Sequence, residues 1–259
     1  MTVLSVNVNK VALLRNARGG TIPSVVASAR TALAAGAAGI TVHPRPDQRH
    51  IRPHDVADLA TLLAGYPGIE LNIEGNPLAG PRDNGYPGFD ALIESSRPHQ
   101  VTLVPDTDNQ LTSDHGFDLR GDNSALEAMI RRYQSWGARV SLFMDPDPEQ
   151  ITLAKRCGAD RIELYTGPFA EAVWRHGPDH EESLDVFARY RDAARHAVDV
   201  GLGVNAGHDL DLGNLPLFRQ IREVAEVSIG HALISDALDM GLATAVEAYI
   251  RVLEGKEST

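Results

Sequence analysis

The stretch RVSLFMDPDPEQITLAKRCGADRIELY, Arg139 to Tyr165, decides the fold. "RVSLF" (139–143) reads as a short buried strand, and an amphipathic helix is predicted to start near Pro148. The Cys157–Ala159 "CGA" turn supplies the glycine stop expected at a helix end. "RIELY" (161–165) is then a second strand. A strand, a helix and a strand in succession imply parallel pairing, because parallel neighbours need a crossover.

The same unit recurs along the chain. Strands are predicted at 3–8, 39–42, 69–73, 100–104, 202–205 and 226–229, each followed by a helical stretch, which makes eight units in all. The first helix is read from Ile22, Val25, Val26, Ala29 and Leu33, with Pro23 in its first turn behind Thr21 as cap. Others are expected at 53–64, 87–96 and 123–136, and from near Ser183, Leu212 and Ala232. "AGA" at Ala35–Ala37 and "WGA" at Trp136–Ala138 repeat the glycine turn before a strand. Eight repeats point to a closed (β/α)8 TIM barrel, with residues 1–259 as one domain. An open doubly wound sheet is the alternative, and it would usually carry a GxGxxG turn after its first strand; "NVNKVALLRNARGG" is not one. The long loops 9–21, 75–87, 105–122 and 166–182 all follow strands, which places them on the carboxyl-end face of the barrel.

Composition narrows the function classes. The 259 residues are 43% hydrophobic and 23% charged, ample for a large core. A formal charge of −11 argues against nucleic acid as a partner. No apolar run approaches the roughly 18 residues of a membrane span and no signal-peptide pattern opens the chain, so a cytoplasmic location is expected. The single cysteine, Cys157, excludes an internal disulfide and reads as a buried, inert thiol.

In a barrel of this kind the strand ends converge on one mouth. "GITVHPRPDQRH" (39–50) shows why this matters, since an apolar strand runs straight into His43, Arg45, Arg49 and His50. Asn7 and Asn9 end the first strand, Asn72 and Glu74 the third; Glu163 lies within the sixth, Asn205 and His208 follow the seventh, and Gly230 and His231 follow the eighth. Singly, each has a bland reading. His43 can cap a strand, His50 and His54 can be solvated or helix-capping, and Glu74 can be a surface carboxylate. Glu163 has to find a partner or shift its pKa. At equivalent positions of a repeated unit, they indicate an active site.

Gly230 and His231 open the last helix, where free amides and the helix dipole favour a phosphate. Arg15 and Arg18, with Arg45 and Arg49, offer guanidinium forks to a second anion. Phosphorylated small molecules are the expected partners, with His43, Glu74 and His208 as acids and bases between the two anion sites. A Schiff-base aldolase needs a lysine at the mouth, and of Lys10, Lys155 and Lys256 only Lys10 is near it. A metal-dependent isomerase or aldolase acting on a sugar phosphate remains the alternative, with His43, Glu74 and His208 as ligands, although no tight His-x-His spacing favours it. A non-catalytic phosphate-binding barrel would not need so many titratable groups.

The motifs "VNVNKVALLRNARG", "GITVHPRPDQRHI", "NIEG", "VSLFMD", "IELYTG", "VNAGHDL" and "IGHALI", in this order, resemble the pyridoxine 5′-phosphate synthase family over essentially the whole chain. The resemblance implies a cofactor-free and metal-free condensation of 1-deoxy-D-xylulose 5-phosphate with 3-amino-2-oxopropyl phosphate, in a homo-octamer built from dimers. By motif, His43 and Glu74 become proton acceptors, His208 a proton donor and Glu163 a transition-state stabiliser. Asn7, Arg18, Gly230 and His231 are implied to hold the amino-ketone phosphate, and Arg45, His50, Thr112, Asn9 and Lys10 the deoxyxylulose phosphate. Asp209 falls in the same binding set, at a position where the family can carry glycine, so a backbone contact is implied and the added carboxylate must point away from phosphate. Asn9-Lys10 likewise stands where some members carry Asp-His, and the Pro/Gly-rich segment 75–88 is a longer insert.

Overall fold

The computed structural model describes residues 1–108 and 110–256. Eight strands close into an all-parallel barrel in sequence order. They are β1 (Val3–Asn7), β2 (Gly39–Val42), β3 (Glu70–Gly75), β4 (Gln100–Leu103), β5 (Arg139–Met144), β6 (Arg161–Tyr165), β7 (Gly203–Gly207) and β8 (Val224–Ile229). Closure is made by β8 against β1, with Leu4 beside Val227 and Val6 beside Ile229. One side of every strand faces outward. Leu4, Val6, Ile40, Val42, Leu71, Ile73, Val101, Leu103, Val140 and Leu142 are buried there under the helical layer, the apolar seam expected of such a barrel.

Among the described residues eleven helices surround the strands, more than the eight units require. The first extra helix, α1 (Asn9–Asn16), occupies what was expected to be loop 9–21, and α7 (Gly167–His176) occupies most of the expected loop 166–182. Each buries apolar side chains, Val11 and Ala12 on α1, Phe169, Ala170 and Val173 on α7. Helix α2 (Val25–Ala34) begins later than predicted. Ser24 rather than Thr21 caps it, accepting from the Ala27 N–H at 3.2 Å, while Ile22 is exposed and Pro23 lies before the helix behind a cis peptide bond. The helix expected near Leu212 is reduced to α9 (Leu215–Phe218).

The helices α3 (Pro53–Leu63), α4 (Phe89–Ser96), α5 (Ser124–Ser135), α6 (Pro148–Arg156), α8 (Glu181–Asp199) and α10 (His231–Met240) follow the predicted pattern closely, and α11 (Leu242–Glu254) is a further helix beyond the one expected from near Ala232. Gly36, Gly137 and Gly158 take positive φ at the three expected turns, a conformation only glycine adopts without cost. Cys157 is buried among them as read. No helix among the described residues is long and apolar enough to cross a membrane.

The side of each strand that faces the barrel axis is polar. The Ser5 and Thr41 hydroxyls lie 2.7 Å apart, Thr102 donates to Asn72 at 3.1 Å, and Ser141 and Ser228 are buried beside them. The barrel therefore alternates apolar outside with polar inside. That alternation sets up the site.

Candidate active site

A cavity of about 440 Å³ opens at the carboxyl ends of the strands. Every residue that the family resemblance implied for catalysis or substrate binding lines it except Arg18, which is exposed in the turn after α1. Asn7 closes β1 and organises its neighbours, its carbonyl accepting from the Asn9 N–H at 3.0 Å and its amide facing Glu74 Oε2 at 3.4 Å. Asn9 in turn accepts from the His43 N–H at 2.8 Å, and Lys10 enters from the next position of α1. Gly230 sits against Asn7, where a Cβ would stand 3.0 Å from the Asn7 Cβ, so glycine keeps that side chain in place.

His43 follows β2 and is held between two carboxylates, Nδ1 3.8 Å from Glu74 Oε2 and Nε2 3.9 Å from Asp106 Oδ2. Burial, reinforced by the Arg45 charge, holds its pKa well below the ordinary value, so the ring is neutral. His50 is not the solvated loop residue it could have been. It is buried, its pKa lowered to about 3 by burial and then by Arg45, and its Nδ1 accepts from the Ile51 N–H at 2.9 Å. A neutral imidazole accepting at Nδ1 carries its proton on Nε2. His54, by contrast, is largely exposed.

The two carboxyls behave as a pair. Burial pushes Glu74 up to about 7, with the Asp106 charge adding to the rise and His208 opposing it. Glu163 lies at the centre of the barrel, raised well above the usual carboxylate range by burial and then by Glu74 and Glu226. It accepts only a long 3.4 Å bond from Thr102. Gly207 makes room for it: a Cβ there would lie 2.3 Å from Glu163 Oε1. The lone in-strand charge has thus shifted its pKa instead of finding a cation.

His208 follows β7, and its Nε2 lies 2.6 Å from the Thr112 hydroxyl on the β4–α5 loop. Its Nδ1 lies 2.9 Å from Asp209 Oδ2. Gly230 and His231 form the amino terminus of α10, after the neighbouring strand β8. Asn205 does not reach the mouth as expected. It lies within β7, receives Arg161 at 2.7 Å and belongs to the other end of the barrel. Asn72 is likewise inside the barrel, bonded by Thr102.

Two arginines serve different purposes. Arg15 is no anion fork: it is buried, donates both terminal nitrogens to Asp55 and fastens α1 to α3. Arg45 stays in the cavity wall, paired with Asp106, which also accepts from Ser113 at 2.8 Å. Asp106 and Ser113 escaped the sequence reading. The available signal was a polar residue just past the "QVTLV" strand, behind Pro105, after one of the two strands to which no strand-end group had been assigned. Arg49 reaches the same loop through the carbonyls of Gln110 and Leu111 at 2.8 and 3.2 Å. The 75–88 insert buttresses this corner, with Asn84 donating to the Pro46 carbonyl and Asn76 to that of Asp106.

His43, Glu74 and His208 do not bring three ligand atoms within 4.8 Å of one another; among the described residues His176, His180 and Glu182 do. That trio lies where α7 meets α8. Its two rings stack with planes 25° apart and centroids 5.0 Å apart, so one ion cannot lie in both ring planes as they stand.

A closed parallel barrel with titratable groups and anion-binding elements gathered at its carboxyl-end mouth defines a (β/α)8 enzyme. The chain belongs to the family described as pyridoxal phosphate biosynthesis protein PdxJ, whose model matches residues 4–255. It is 55% identical over 259 residues to the pyridoxine 5′-phosphate synthase of Xanthomonas campestris pv. campestris (strain B100), covering 100% of this chain and 98% of that relative. The enzyme of the same description from Albidiferax ferrireducens is 53% identical over 254 residues, with 97% of each chain covered. Among solved structures, KGPDC from Streptococcus mutans aligns over 100% of both chains with a TM-score of 0.60 at 10% identity, a likeness of fold alone.

Proposed function

We propose that this enzyme condenses 1-deoxy-D-xylulose 5-phosphate with 3-amino-2-oxopropyl phosphate to form pyridoxine 5′-phosphate, releasing phosphate and water. The observation that carries the reading is the meeting, in one cavity, of a neutral His43, a Glu74 poised near neutrality, a protonated Glu163 and His208. Imine formation, loss of phosphate, hydration, aldol closure and dehydration are all proton transfers, and such groups move protons in both directions near pH 7.

The roles follow from position. Glu74 and His43 take protons from the amine and carbon acids beside β2 and β3. Glu163, neutral at the floor, donates a hydrogen bond to oxygen that gains charge in the transition state. His208 delivers a proton from the β7 side. The α10 amino terminus at Gly230 and His231 holds one phosphate, with Asn7 beside it and Arg18 drawn in from the exposed turn. Arg45, the Nε2–H of His50, Thr112, Asn9 and Lys10 hold the other, in competition with Asp106 for Arg45. The Asp209 backbone amide completes the substrate-binding set. A cytoplasmic octamer built from dimers fits this reading, and exposed Leu14, Ile22 and Leu238 supply apolar surface for assembly.

Incubation of the metal-stripped protein with both substrates is expected to produce pyridoxine 5′-phosphate, followed by absorbance. Activity that disappears on chelation and returns only with a divalent cation overturns the reading.

A further inference from the structure

We propose that the carboxylate of Asp209 is a positioning residue that holds His208 in one orientation and one tautomer, with Nε2 presented to the cavity. The inference rests on the function proposed above and adds a role distinct from any substrate contact by the Asp209 backbone. Three observations carry it. Asp209 Oδ2 lies 2.9 Å from His208 Nδ1, while His208 Nε2 lies 2.6 Å from the Thr112 hydroxyl. A carboxylate only accepts, so Nδ1 carries a proton and Nε2 is left to exchange one with Thr112 or a ligand.

The second observation is the backbone. His208 and Asp209 are consecutive non-glycine residues at positive φ, 86° and 58°. Such conformations are unfavourable for residues that carry a side chain and persist where surrounding structure imposes them. Here the imposition is visible. Buried Thr166 donates to the carbonyls of both Gly207 and His208, and buried Asn214 donates to that of Asp209 at 3.0 Å. The turn is fixed from both sides in the one shape that folds the carboxylate back on the imidazole.

Third, the ring has a wall to lean on. Tyr165 meets it edge-on, with centroids 5.3 Å apart. The hydrogen bond from His208, with further help from His231 and Lys10, holds the Asp209 carboxyl below its ordinary range, so the acceptor is ionised at neutral pH. Its charge is directed at the imidazole, which removes the conflict between an extra carboxylate and a bound phosphate.

Asp209→Gly removes the carboxylate while keeping the backbone amide and easing the positive φ, so the fold is preserved. In the variant kcat is expected to fall about tenfold or more while KM for both phosphorylated substrates stays within about twofold. In ¹⁵N-histidine NMR of the ligand-free proteins, the wild-type His208 should show a protonated Nδ1 throughout, and the variant a mixture of tautomers. The NMR arm needs no turnover, so it tests the positioning even if the wild type fails to make product, an outcome that instead removes the proposed function. An unchanged kcat, a loss confined to KM, or identical His208 spectra overturns the inference.

Discussion

The two ends of the barrel bury charge in different ways. At the amino ends of the strands, Arg139 is bonded to Glu70 and to Gln100, Arg161 donates to Asn205, and Glu226 accepts from Gln100 and Asn205, both at 3.3 Å. At the mouth, Glu74 and Glu163 have only long bonds from Asn7 and Thr102. The consequences diverge. Burial pushes Glu70 upward, but the bond and charge of Arg139 outweigh it and the carboxyl ends below its ordinary value. Glu226, with amides in place of a cation, is raised by burial, and the mouth carboxyls are raised by burial first, Glu74 further by Asp106 and Glu163 further by Glu74. Charges matched by a cation stay charged and hold the structure; carboxyls left without one keep a proton they can give away.

The largest effect follows at the mouth. Replacing His43 with Ala or Glu74 with Gln should lower kcat by about 10²- to 10⁴-fold, the range for a lost general acid or base, in a protein that still folds. Glu74→Gln should also stabilise the ligand-free enzyme at alkaline pH. Burial pushes the folded carboxyl up to about 7, against an ordinary value of 4.5. Its contribution is therefore fully present below pH 4.5 and is lost as the pH rises through 7, by an upper bound of about 3 kcal/mol. Thermal melts should show the variant above wild type at pH 8 and level with it at pH 4. Equal melting at both pH values would mean that Glu74 is not held protonated.

Glu163→Gln should cost less, roughly tenfold in kcat, because a protonated carboxyl and a carboxamide both donate a hydrogen bond. A loss as large as that of Glu74→Gln would make Glu163 a proton carrier and erase the distinction between them. The opposite end gives the reverse pattern. Arg139→Met removes the cation from Glu70 while keeping apolar bulk, and should cost about 1 to 2 kcal/mol of stability, read from denaturant unfolding, with kcat/KM unchanged. A loss of activity there would break the division of labour.

Much of this was legible in the chain because the barrel repeats one unit. Eight apolar runs, three of them behind a glycine stop, dictate the parallel order of the strands, and strand direction then sends His43, Glu74 and His208 to the same face. What escaped was tertiary in origin. Arg15 and Arg45 look alike as arginines near strand ends, and only packing reveals that Asp55 claims the first. Asn205 reads as a strand end because the strand was cut two residues short at Gly207. Helices α1 and α7 hide in segments that their neighbouring strand-end motifs make look like loops. Asp106 lies three residues beyond its strand, where the repeat no longer dictates direction.

The smallest effect concerns Glu70 itself. Its folded pKa lies below 4.5, so its contribution to stability is present above that pH and is lost as the pH falls through the folded value. This is opposite in sign to Glu74. Because the Glu70 side chain is 34% exposed and that of Arg139 27%, solvent screening limits the pair to about 0.5 kcal/mol. Glu70→Gln should therefore flatten the acid side of the stability profile slightly, below the ordinary carboxylate pKa of 4.5, and leave the alkaline side as in wild type. Combining it with Glu74→Gln sharpens the contrast, since the sites lie at opposite ends of one strand with no shared hydrogen-bond partner and their effects should add. A double variant whose acid and alkaline limbs departed from the sum of the single ones would show that the polar barrel interior couples its two ends.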